Sequence, residues 1–465
     1  MKILLILIFS IVLNLNYAIC KKINSLVSGT DGYLYGTSYN YNCSSLSDTS
    51  AYIFKLKSDG TKYQVVFKFK SVLGNGSLTP IDKLIPNVEN GVLYFYGVIE
   101  TNKDSILYKI NSNGSNFTVL HSFSSDSESI SVPNSIALGP DGWLYMTSLE
   151  FANNQNATLS KMDLNGNNLT ILHIFAPDIP SSGTHSDLAF SIDGKTVYGT
   201  TYGGGDYGKG LLYSISSSGT NYTVIHNFSG VNGDGENPEG GLILAKNNIL
   251  YMTTMNGGWG KLGTLSAYNL STNQFNSPVS FNGAGSNHYG ANPNSLVQGS
   301  DGNIYIATTN GGANNFGAIF MYDTTFGTGK LIYDNFSNTN YSYFNPNGII
   351  FNNNRVYIVV PSGGYYSTQN FGGILSINTD GSSPFIFDLY IKRIPNGCDY
   401  DTSILLYYIS QTKVTTSFDI SYLNPLKLKE VNNEYCYVAA KYNGNASGIC
   451  SWHVGWLPDI DYCGY

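Results

Sequence analysis

Thr196-Val-Tyr-Gly-Thr-Thr-Tyr-Gly-Gly-Gly205, followed by Gly210-Leu-Leu-Tyr-Ser-Ile215 and Thr223-Val-Ile-His-Asn-Phe-Ser-Gly230, is the best copy of a pattern that recurs along this 465-residue chain. Anchored on one tyrosine, the copies fall at Tyr35, Tyr94, Tyr145, Tyr198, Tyr251, Tyr305 and Tyr357. A spacing of about 50–60 residues is the period of propellers and supersecondary arrays, and longer than most β-solenoid coils.

Each copy holds four short strand signals separated by turn chemistry. In the third copy these are Ser135 to Leu138, Leu144 to Ser148, Thr158 to Met162 and Leu169 to Ile174. Asp141-Gly142 joins the first pair and Asn165-Gly166 the second. Such dipeptides tolerate φ > 0 at both centres of a type I′ turn, which matches strand twist. The first hairpin recurs at Asp31-Gly32, Asn90-Gly91, Asp193-Gly194 and Asp301-Gly302, the second at Asp59-Gly60, Asn113-Gly114, Ser218-Gly219 and Asp380-Gly381. Two hairpins per copy predict a four-stranded antiparallel sheet. The second strands, such as Ile304 to Ala307 and Val356 to Val360, are apolar on both faces, so both faces are expected to be covered. Radial stacking provides that cover. The expected fold is all-β: a seven-bladed β-propeller over 21–390.

Thr196 to Gly230, with Asn237-Pro-Glu-Gly-Gly-Leu242 after it, resembles the GloVer-type Gly-rich tandem repeat. The copies with Gly257-Gly258 and Gly311-Gly312 match well, whereas the first three lack the paired glycines. The resemblance implies a β-propeller-like module of exported proteins and imports no activity. Kelch repeats are a weaker resemblance. Their glycine pair follows a strand too, but here it sits further beyond the tyrosine and the kelch tryptophan is missing.

Lys2 ahead of the apolar run Ile3 to Leu15 reads as a secretory signal over 1–20, since about 13 residues fall short of a membrane span. Cleavage after Ala18 and after Cys20 both remain open. The polar end Asp461-Tyr-Cys-Gly-Tyr465 offers no lipid-anchor tail. Only 12% of residues are charged, Tyr reaches 37 and Gly 51, a sheet-and-turn composition. A net charge of −7 without a basic cluster argues against nucleic acid. Sequons including Asn75, Asn116, Asn221, Asn227, Asn335 and Asn445 are candidate glycosylation sites.

The chemical candidates are sparse. Gly203 to Gly210 imitates a phosphate loop up to Lys209, but Gly210 stands where Ser or Thr is needed and a strand follows. His121, His173 and His226 fill one fourth-strand position, held elsewhere by Phe67, Asp334 and Phe387, which indicates architecture rather than catalysis. His185 and His288 lie in linkers without ligand partners at zinc spacing. Asn232 to Asn237 alternates side-chain oxygens but lacks the ligand count calcium needs. No nucleophile elbow, zinc helix or kinase set occurs, and no cofactor or metal is expected.

After residue 390 the repeat stops. Cys398, Cys436, Cys450 and Cys463 predict two disulfides in a small module over 391–465, with three pairings open and Cys43 left over if cleavage removes Cys20. Trp452, His453 and Trp456 are read as the core of that module.

In such a propeller, the loops between second and third strands and the blade-to-blade linkers share one face. Here they are the longest segments, and function tends to sit on irregular loops of a rigid scaffold. The expected function is a secreted, monomeric, non-enzymatic module that binds an extracellular glycan or protein at its loop-rich mouth. Candidate contacts are Tyr202, Asp206, Tyr207, Asp234, Glu236 and Trp259. A secreted enzyme acting on glycans or peptides, using carboxylates such as Asp187, and a structural component of an extracellular coat are the alternatives.

Overall fold

The computed structural model describes residues 18–19, 21–40, 51–74, 77–124, 133–148, 157–175, 187–284, 289–334, 336, 342–364, 372–388, 391–392, 405–407, 426–431 and 434–438. The expectations at residues 1–17, Cys43, Asn75, His185, His288, Asn335, Cys398, Asn445, Cys450, Trp452, His453, Trp456 and Cys463 lie outside them.

Seven antiparallel sheets follow one another along the chain, at 21–68, 79–124, 133–174, 189–227, 235–280, 291–333 and 349–388. Within each, the four repeat strands pair in sequence order, so every blade is a meander. The protein is a seven-bladed β-propeller. Burial follows position in the blade. All five residues of the second strand Leu144–Ser148 are buried, while every residue of the fourth strand Thr223–Asn227 keeps some exposure.

Each blade buries its faces against its neighbours. Blades 1 and 2 share a cluster around Tyr35, Phe95 and Tyr108. Blades 2 and 3 meet at Tyr96, Phe123 and Met146, and blades 3 and 4 at Tyr145, Leu159 and Tyr213. Leu212, Phe228 and Met252 join blades 4 and 5, and Leu265, Phe281 and Phe320 join 5 and 6. Tyr305, Phe336 and Ile358 join 6 and 7. The ring closes where Tyr357, Val359 and Ile374 of blade 7 pack on Ile23, Leu34 and Phe54 of blade 1. There the Tyr357 hydroxyl also donates to the Ser58 carbonyl at 3.0 Å, across 299 residues of sequence. Outside the blades, Ala18–Ile19 pairs with Ile391–Lys392, and Leu405–Tyr407 adds a fifth strand to blade 7. A hairpin of Leu426–Val431 and Glu434–Val438 carries Cys436.

The repeated residues acquire physical reasons. Gly36, Gly97 and Gly199 of second strands lie directly opposite Phe54, Tyr108 and Tyr213 of third strands. The aromatic ring occupies the space a Cβ would need, so glycine and ring form one cross-strand pair. The anchor tyrosines Tyr35, Tyr145 and Tyr305 donate to the turn aspartates Asp31, Asp141 and Asp301 at 2.6–2.7 Å. That bond explains why Asp-Gly and Tyr recur at a fixed interval. It also corrects one anchor: in blade 2 the buried tyrosine followed by the ring-covered glycine is Tyr96, not Tyr94.

The turns differ from the type I′ expectation. At Asp31-Gly32, Asp141-Gly142, Asn165-Gly166 and most of their equivalents only the glycine has positive φ, and Gly142 and Gly166 donate back to Gly139 and Asp163. These are type I turns closed by a left-handed glycine, the three-residue hairpin solution. Asn90-Gly91 and Asn353-Asn354 are positive at both centres.

Gly199→Ala is expected to lower unfolding free energy by about 1–3 kcal/mol through overpacking against Tyr213. Adding Tyr213→Phe, which removes the nearest atom, should recover part of the loss in urea denaturation. A neutral Gly199→Ala would contradict the pairing.

Candidate functional site

Because strands alternate in direction, the second-to-third loops and the blade-to-blade linkers emerge at the same end of the ring. Inter-blade latches order them. The Asn237 backbone N–H donates to the Lys209 carbonyl at 2.8 Å, and its side-chain amide donates to the Tyr202 carbonyl at 3.0 Å. Asn292 repeats both bonds on Leu262 and Met255, at 2.8 and 2.9 Å. Each is followed by a proline seated on the glycine that opens the preceding blade's third strand. A Cβ on Gly210 or Gly263 would stand 2.6 or 2.5 Å from Pro238 or Pro293 Cδ. Asn237 and Asn292 sit at φ 56° and 54°, a left-handed conformation that asparagine tolerates better than most residues.

On this frame the expected contacts take distinct places. Asp234 lies in the blade 4–5 linker and is saturated. Its carboxylate meets His226 Nε2 at 3.1 Å and accepts the Ser229 N–H and hydroxyl, both at 2.8 Å. It also accepts the Gly235 N–H at 2.8 Å. Burial pushes this carboxyl up, but the bonds from His226 and Ser229 outweigh burial and hold it below its usual value. Glu236 forms an ion pair with Lys209. Asp206 is pinned to the fourth strand, its N–H donating to Asn227 Oδ1 at 3.2 Å and its carboxylate accepting from Asn227 Nδ2 at 3.0 Å. Tyr202 is half-buried and Tyr207 is exposed.

Trp259 is 78% exposed yet held: its backbone N–H donates to Ser280 Oγ at 2.6 Å, and its indole lies over Gly233 of the linker. Lys261 donates to the Gly230 carbonyl of that same linker. Bonds to Asn227 and Ser280 draw these loop tips over the outer strands of blades 4 and 5 rather than toward the axis. The sequence placed the site at the central mouth, but the geometry centres these residues on a blade junction. Lys209, Lys261, Ser229 and Ser280 were not among the sequence candidates; the partners of Lys209, Lys261 and Ser280 lie in a neighbouring blade or a different loop, and Ser229 bonds Asp234 within the linker itself. The repeat register was the available signal, since Lys209 and Lys261 both shortly precede the third-strand glycine.

The fourth-strand position has a structural role at the rim. His173 stacks on Tyr222 at 3.9 Å and His226 on Phe275 at 3.6 Å, as Phe67 stacks on Phe117 at 4.9 Å, each ring reaching into the next blade. In blade 6 the residue opposite Ile319, equivalent to His226 opposite Leu212, is Tyr333 rather than Asp334.

Around the axis, bulges in the first strands tie successive blades. Asn24 donates to the Asp82 carbonyl at 2.8 Å, and the Asp82 carboxylate accepts from Ser135 and Ile136. Lys83 of blade 2 reaches Asp187, just ahead of blade 4, at 2.5 Å. Burial raises the Asp82 carboxyl above its usual value despite the adjacent ammonium. Asp187, a candidate carboxylate for glycan chemistry, is thus committed to a lysine. Among the described residues no group of three or more His, Cys, Asp or Glu is placed to hold a metal, and no helix is long and apolar enough to cross a membrane.

Residues 132–375 match the Gloeobacter/Verrucomicrobia repeat. The chain belongs to this repeat family. The match spans blades 3 to 6 and most of blade 7, including every latch and glycine pair described above. No curated protein matches the sequence. Among solved structures, TolB from Acinetobacter baumannii is similar at 13% identity and TM-score 0.40, over 78% of this chain and 77% of TolB. A putative 6-phosphogluconolactonase from Bacteroides uniformis is similar at 12% identity and TM-score 0.44, over 82% and 97%. Prolyl oligopeptidase B from Galerina marginata is similar at 12% identity and TM-score 0.48, over 77% of this chain but 49% of that enzyme.

Burial lowers the His173 imidazole below its usual value. A base depressed in the folded state favours the native protein while neutral and loses that contribution on protonation. Stability is therefore expected to fall as pH drops below about 6.5, and His173→Phe should flatten that limb of a melting-temperature profile. Lys83→Met strands Asp187 and is expected to cost about 1 kcal/mol, because side-chain exposures of 38% and 31% leave the pair screened. Urea unfolding measures that loss.

Proposed function

We propose that the protein is a secreted, non-enzymatic binding module whose ligand meets the loop face at the junction of blades 4 and 5. The observation that carries this reading is Trp259, a large apolar side chain left in solvent on a loop braced by Ser280, Gly233 and Lys261. Exposing an indole on an ordered support is unfavourable unless something covers it. Tyr207 and Val231, also exposed, belong to the neighbouring loops.

The polar groups of the junction support binding over catalysis. The Ser229 hydroxyl donates to Asp234 instead of to the imidazole, which supports a bracing role for the His226–Asp234 pair over activation of that serine. The family match and the apolar run Ile3 to Leu15 support export. Asn116 and Asn221 are exposed and suit glycan attachment. The amide of Asn227 is engaged by Asp206, which makes that sequon a poor acceptor.

Replacing Tyr207, Glu236 and Trp259 together by Ala should abolish capture of material from extracellular extracts while leaving the melting temperature within about 2 °C, the response to surface substitutions. Retained capture by a folded variant would refute the site.

A further inference from the structure

We propose that the blade 4–5 junction binds a neutral polysaccharide, with Trp259 as the platform on which one sugar ring stacks. This rests on the reading of that face as ligand-binding and names the chemistry it takes.

The seat of the indole is the first observation. Gly233 has φ 84°, and a Cβ there would lie 2.6 Å from Trp259 Nε1, 2.7 Å from Cε2 and 3.1 Å from Cζ2. The linker backbone therefore backs the ring, and 78% of the residue remains open to solvent. A flat aromatic surface fixed before binding loses little conformational entropy on contact.

Distribution is the second. Among described residues, the large apolar side chains exposed at the loop face are Val72, Ile174, Tyr207, Val231 and Trp259. Three of these five come from the loops of blades 4 and 5. Val88, Val92, Ile192 and Phe326 lie at hairpin turns on the opposite face, and Val119 and Val224 lie within outermost strands. Three side chains make a small apolar surface beside the roughly 800 Å² per partner that a stable protein interface buries. They match one or two sugar rings better than a protein.

Charge is the third. Lys209 is balanced by Glu236, and Lys261 is satisfied by the Gly230 carbonyl. Asp206 is held by Asn227, and Asp234 by His226 and Ser229. Two lysines, Lys209 and Lys261, thus share the face with three carboxylates, Asp206, Asp234 and Glu236, so opposite charges nearly cancel and neither an anionic nor a cationic polymer meets a strong complementary field. The fitting ligand is uncharged, presents one apolar C–H face to the indole and carries hydroxyls for the polar fringe. A pyranose has that shape.

The test uses the full-length secreted protein in affinity electrophoresis and fluorescence titration. Soluble glucan, mannan, xylan and chitin oligosaccharides are compared with alginate and hyaluronate. At least one neutral polymer should bind. Trp259→Ala should weaken binding at least about tenfold, the scale of a single aromatic contact, while Trp259→Tyr stays within about threefold. Gly233→Ala keeps the indole but takes its seat, and should weaken binding comparably. Circular dichroism confirms that each variant folds. Binding confined to the charged polymers, or unchanged in folded Trp259→Ala, overturns the proposal. So does failure of every neutral polymer. If the triple-Ala variant still loses capture of a protein from extracts, only the sugar assignment falls; if capture survives too, the binding face falls with it.

Discussion

The structure depends on face-to-face burial between successive sheets, completed where blade 7 meets blade 1. A four-stranded sheet whose second strand is apolar on both sides has no stable existence alone, because water on either face exposes residues such as Leu144, Ile306 and Val359. Seven sheets around an axis give every face a partner. The closing cluster of Tyr357, Ile374, Leu34 and Phe54 makes the first and last blades interior too. Each large side chain buried in this way contributes about 1.5–3 kcal/mol before conformational entropy is subtracted.

Closure also fixes the loops. The Asn-Pro latches hold the 4–5 and 5–6 linkers to the preceding blades, and the axial bulges tie Asn24, Asp82 and Ser135 across three blades. The loop carrying Trp259 thereby inherits rigidity from the whole ring. Its exposed indole rests on an ordered support, which would lower the ordering cost of the binding site proposed there.

Much of the fold was legible in the sequence because it repeats. Alternation, Asp-Gly turns and the tyrosine anchor gave blade number and strand order, since each copy confirmed the others. Local chemistry was less legible. Tyr94 and Tyr96 compete for one role, and only the ring-covered Gly97 decides between them. The Asp-Gly turns are ambiguous in sequence, because aspartate next to glycine suits a type I turn with a left-handed glycine equally well. Asp234, Glu236 and Asp206 were found as loop carboxylates, but their partners His226, Lys209 and Asn227 belong to other segments. Repeat periodicity carries no information about which unique residues meet across a joint. The same limit hid that these loop residues gather at a blade junction rather than around the axis.

The central claim is that the blades form one closed cooperative ring. Amide hydrogen exchange across the chain in Ile374→Ala, which opens a cavity at the closing joint, tests it most directly. A closed ring predicts that the slowest amides of Thr196–Thr201, on the far side, lose as much protection free energy as those of Arg355–Val360. Lost protection confined to blades 7 and 1, with 196–201 unchanged, would contradict it.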